Sequence, residues 1–87
     1  MKTATQATLE TVTFEIELTD TFGGEANYTW VKRATIEAPA TITDRALIRR
    51  AKQAVGICGP HRKQFGGELI ALYPLGACIV CFITPRY

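Results

Sequence analysis

The chain has 87 residues, 47% hydrophobic and 21% charged, with a formal net charge of +2. That composition belongs to a folded chain and excludes a disordered one. The length holds one domain, residues 1–87, and excludes a cofactor cleft between two lobes. Charge is divided along the chain. Residues 1–40 carry Lys2, Lys32 and Arg33 against Glu10, Glu15, Glu17, Asp20, Glu25 and Glu37. Residues 41–87 carry Arg45, Arg49, Arg50, Lys52, Arg62, Lys63 and Arg86 against Asp44 and Glu68. A basic half suits an acidic partner, nucleic acid or protein; the competing reading is a solvated helix face that keeps a small domain soluble.

In chain order, residues 1–8 have one charge, Lys2, and no apolar h-region, so we expect a flexible N-terminal segment and no secretory leader. From Leu9 to Thr19 apolar and polar residues alternate, with Val12, Phe14, Ile16 and Leu18 on one parity. That period predicts a strand with one dry and one wet face. Asp20 to Gly24 reads as a loop. Ala26 to Ala38 alternates again, and Tyr28 and Trp30 share the apolar parity, which places them in the core. Lys32 breaks the pattern, so either a bulge shifts the register or its stem snorkels from the sheet margin. Pro39 ends the strand.

The next segment predicts a helix. Thr43 is an N-cap, Asp44 suits the positive end of the dipole, and Ile42 and Leu47 have the spacing of a hydrophobic staple. Leu47, Ile48, Ala51, Ala54 and Val55 form an apolar stripe, while Arg45, Arg49 and Lys52 recur on another face. Gly56 suits the position just past the helix, and Gly59-Pro60 prevents continuation. His61 to Gly67 reads as a polar, basic loop. Glu68–Tyr73 and Ala77–Thr84 read as strands joined by a turn around Pro74. The latter is apolar on both parities, so it is either covered on both faces or buried against another subunit, which makes a homodimer one way of covering it. The fold class is therefore α+β, in the order β-β-α-β-β, an antiparallel sheet with one helix packed on one face.

Chemistry-bearing patterns are few. Cys58 and His61, followed by Cys78 and Cys81, have paired spacing that a structural zinc would use. Positions 78 and 81 of a flat strand face opposite sides, however, and cysteine is a common core residue without metal. We therefore expect reduced core or half-buried thiols, with no metal or other cofactor. His61 has no arrangement of nucleophile or acid around it, and the Gly pairs lack phosphate-loop flanks, so no catalytic residue and no enzyme is expected. The longest apolar run, Leu69–Ile83, is shorter than the ~20 residues of a membrane span. A cytoplasmic protein without a membrane partner follows. The binding candidates are Arg45, Arg49 and Lys52 of the helix with Arg62 and Lys63 after it, a set able to meet phosphates or carboxylates.

The segment Asp20-Thr21-Phe22-Gly23-Gly24-Glu25-Ala26-Asn27-Tyr28-Thr29-Trp30-Val31-Lys32-Arg33, the helix start Thr43-Asp44-Arg45-Ala46 and the strand start Gly76-Ala77-Cys78 resemble small proteins of bacterial phages, plasmids and integrated elements. The resemblance spans residues 12–84. That group has no assigned activity or site residues, so no role transfers. It implies a bacterial cytoplasm and a mobile-element protein that binds host or element machinery. The function expected is a small non-enzymatic binding protein acting through a charged surface on a macromolecular partner, with inhibition of a host system as one outcome. A protein partner ranks ahead of sequence-nonspecific nucleic acid, and a small zinc domain comes last.

Overall fold

The computed structural model describes residues 10–86; the segment expected to be flexible, residues 1–8, lies outside the described residues. Among the described residues are five strands and one helix, an α+β arrangement: β1 Thr11–Phe22, β2 Glu25–Pro39, α1 Asp44–Val55, β3 His61–Gly66, β4 Leu69–Pro74 and β5 Ile79–Arg86. All neighbours are antiparallel, in the order β2-β1-β5-β4-β3. The last strand in sequence therefore lies at the centre of the sheet. Ile83 of β5 sits opposite Ile16 of β1 on one side and Ile70 of β4 on the other. That position pairs both edges of β5, and on its second parity Val80 is buried while Phe82 is half-buried between Glu17 and Ala71.

The sheet has two unlike faces. Phe14, Ile16, Leu18, Ile70, Leu72, Cys81 and Ile83 share one parity and join Leu47, Ile48, Ala51 and Val55 of α1 in one buried cluster. We call this the inner face. Each fully buried Leu or Ile contributes about 1.5–3 kcal/mol relative to exposure. The outer face carries Glu15, Glu17 and Glu37 and also buries Thr19, Ala71 and Val80.

The helix begins and ends where its sequence signals fall. Thr43 is extended, and its Oγ1 accepts the Ala46 N–H at 3.2 Å. Gly56 takes a left-handed φ of 78°, which lets the Ile57 N–H reach back to the Lys52 carbonyl at 2.9 Å. Lys32 supplies the rest: from β2 its Nζ donates to the Val55 carbonyl at 3.1 Å, a cation at the negative helix end. Lys32 stays on the inner parity, opposite Leu18, and reaches out from the sheet margin; the bulge of β2 lies before it and moves other residues.

That bulge overturns one placement. Thr19 pairs with Val31 and Thr21 with Ala26, so residues 27–30 of β2 oppose Asp20 alone. The parity that groups Tyr28 and Trp30 with the core is lost across this insertion, and both are exposed, at 51% and 44%. Tyr28 has φ 59°, an unusual conformation for a side chain of its size. A second correction concerns His61–Gly66. This segment is an edge strand rather than a loop, paired to β4 from His61–Pro74 to Gly66–Leu69, so the order is β-β-α-β-β-β. No helix among the described residues is long and apolar enough to cross a membrane.

Candidate functional site

A groove of about 370 Å³ opens between α1 and β3. One wall is Arg45, Ile48, Arg49, Lys52 and Gln53, a single face of the helix; the end is closed by Ile57, Cys58 and Gly59; the other wall is His61 and Lys63. Helical spacing puts Arg45, Arg49 and Lys52 side by side, and strand alternation puts His61 and Lys63 on the same side of β3. Four of the five basic residues singled out from the sequence thus converge. The fifth, Arg62, lies on the opposite parity, where its guanidinium stacks over the Tyr73 ring at 5.1 Å.

Within the groove Lys52 is a strut. Its Nζ donates to the Gly59 carbonyl at 2.6 Å and to His61 Nδ1 at 3.0 Å. An ammonium only donates, so Nδ1 accepts and the His61 proton sits on Nε2. Burial, then Lys52 and Lys63, hold the His61 pKa below its ordinary 6.5. Lys52 and Lys63 thus add positive charge beside an imidazole that burial already keeps from protonating readily. No acidic side chain is among the groove's lining residues. Arg45, Arg49 and Lys63 make no ion pair among the described residues, where the pairs are Arg33–Glu17 at 3.0 Å and Arg86–Glu15 at 2.6 Å on the outer face. The groove therefore presents donors and positive charge beside the apolar side chains of Ile48 and Ile57.

The four-ligand set is not assembled. Cys58 and His61 both line the groove; Cys78 is exposed in the β4–β5 connection, and Cys81 is in the core. Burial pushes the Cys81 thiol up to about 12, the reverse of what a thiolate ligand needs. No group of three or more His, Cys, Asp or Glu side chains is gathered for a metal among the described residues.

The sequence reading missed three contributors. Ile57 and Gln53 carry no pattern of their own, and β3 is hidden because His-Arg-Lys-Gln has no apolar alternation. A usable signal was present: His61, Lys63 and Phe65 share a parity, and Gly66 and Leu69 flank a two-residue Gly67-Glu68 hairpin turn. Gly67 has φ 61°, which such a turn requires.

Fold and site define a small α+β domain with one basic groove. The chain matches no protein-family model, no curated protein and no solved structure.

Proposed function

We propose that this chain is a non-enzymatic binding protein, of bacterial mobile-element origin as the resemblance implies, that holds an anionic macromolecular partner in the groove between α1 and β3. The observation that carries the reading is the convergence of Arg45, Arg49, Lys52 and Lys63 on one groove with no acidic side chain in its lining. On this reading the helix packs across the inner face of the sheet and holds the cations off the core. A protein partner supplies carboxylates. Nucleic acid is the second reading, favoured by one observation: Glu15, Glu17 and Glu37, three of the six acidic residues of positions 1–40, share the outer face, away from phosphates at the groove.

The test is a titration with polyglutamate and with short DNA at about 50 and about 200 mM salt, because phosphate or carboxylate neutralisation releases counterions and makes binding steep in salt. Binding that weakens sharply with salt and is lost in the Arg45→Glu, Arg49→Glu double variant supports the reading. Absence of binding by either polyanion at the lower salt, or binding unchanged by the double reversal, overturns it.

A further inference from the structure

Beside the groove lies a second feature, the outer edge of β3. Two hydrogen-bond constraints define which of its backbone groups are turned outward. Gly66 and Leu69 close a two-residue hairpin, which makes them a mutually hydrogen-bonded pair, and at the other end the Leu75 N–H donates to the Pro60 carbonyl at 3.1 Å. Every second residue between them, Arg62, Gln64 and Gly66, turns its N–H and C=O toward β4. His61, Lys63 and Phe65 turn theirs away from the sheet. The same three residues have their side chains on the inner face, and two of them, His61 and Lys63, line the groove.

An open edge and a basic groove thus share residues. The edge offers donors and acceptors in alternation. A phosphate backbone supplies acceptors alone, whereas an extended peptide supplies both. Its alternate side chains repeat every ~6.6 Å, close to the ~6 Å between Arg45 and Arg49 along the helix. A second copy of β3 fits poorly, because the antiparallel register centred on Arg62 sets that cation opposite itself, and the one centred on Lys63 does the same for Lys63.

We infer that an extended acidic segment of a protein partner adds to the free edge of β3 as a further strand, directing every second carboxylate into the groove toward Lys63, Arg45 and Arg49. This rests on the reading of the groove as an anion site and names its occupant.

The probe is a short peptide alternating Glu and Val, compared with the same peptide N-methylated at alternate residues, and with short oligothymidylate. The alternating peptide binds and slows hydrogen exchange at the Lys63 and Phe65 amides, leaving those of Arg62 and Gln64, already bonded to β4, at their former rates. In the register that N-methylation blocks, affinity falls about tenfold or more with charge unchanged. Lys63→Pro weakens binding more than Lys63→Gln, since proline at an outward-facing edge position removes the donor without touching the β4 ladder. Equal binding of the N-methylated peptides, or no slowing at Lys63 and Phe65, overturns the inference. So does oligothymidylate binding tighter than the peptide without edge protection, though the reading of the groove as an anion site then stands. Protection of these amides by self-association in the absence of peptide also overturns it, giving the edge to a second copy. If neither peptide nor oligothymidylate binds, inference and groove reading fail together.

Discussion

The bulged end of the β1–β2 hairpin and the groove between α1 and β3 are both rich in polar side chains, and they use them in opposite ways. At the bulge the polar groups are turned on each other. Thr19 Oγ1 donates to the Trp30 carbonyl at 2.9 Å and accepts the Tyr28 N–H at 3.1 Å. The Asp20 carboxylate accepts from the Thr29 N–H at 2.9 Å and from Asn27 Nδ2 at 3.1 Å. Tyr28 donates through its hydroxyl to Glu17, which also pairs with Arg33. In the groove, Lys52 alone is turned inward; Arg45, Arg49 and Lys63 share its sign and lack an anion among the described residues. Polar groups that satisfy one another hold an irregular backbone in place. Like charges gathered without a counter-charge cost stability through their mutual repulsion.

The contrast breaks most completely if the groove loses its footing. Leu47 anchors α1 in the shared core, and Leu47→Ala should cost about 2–5 kcal/mol in denaturant unfolding. A loss under about 0.5 kcal/mol would show that the wall of the groove does not depend on the core. At the bulge, Thr19→Val preserves shape and leaves the Tyr28 N–H and Trp30 carbonyl without their shared partner. It should cost about 1–3 kcal/mol while leaving polyanion binding in place. Equal damage to stability and binding would show that the two regions are coupled.

A smaller effect separates the regions by pH. Local loss of water raises the Asp20 carboxyl, but hydrogen bonds from Thr29 and Asn27 together outweigh it and bring the pKa from 3.8 to about 2. The unfolded chain therefore takes up this proton first as pH falls. The stabilisation by Asp20 is present above pH 3.8 and is lost as pH falls through about 2. The urea midpoints of wild type and Asp20→Asn should converge across that window, and a constant gap would remove Asp20 from the clasp. The smallest effect reads the groove directly. His61 should titrate below 6.5 by NMR, and a bound polyanion should raise its pKa toward that value by offsetting Lys52 and Lys63. A His61 titration indifferent to a bound polyanion would place the anion elsewhere.

Much of this protein was legible before any coordinates. The strand alternation of Val12 to Leu18, the Thr43 cap, the Leu47-Ile48-Ala51-Val55 stripe and the Gly56 terminus are local signals, and each is carried by residues within a turn or two of one another. The basic set was legible as a list, because charge is written in the residues themselves. What local pattern cannot carry is decided by pairing between distant segments. β5, last in sequence, is central because Ile83 meets Ile16 and Ile70 at once. Tyr28 and Trp30 leave the core because the Thr19–Val31 and Thr21–Ala26 pairs force extra residues outward between them. His61–Gly66 becomes a strand because β4 offers it a ladder, against its polar composition. That last pairing also sorts the basic list, sending Lys63 into the groove and Arg62 onto Tyr73. One residue of strand register separates the two, and a strand points adjacent side chains to opposite faces.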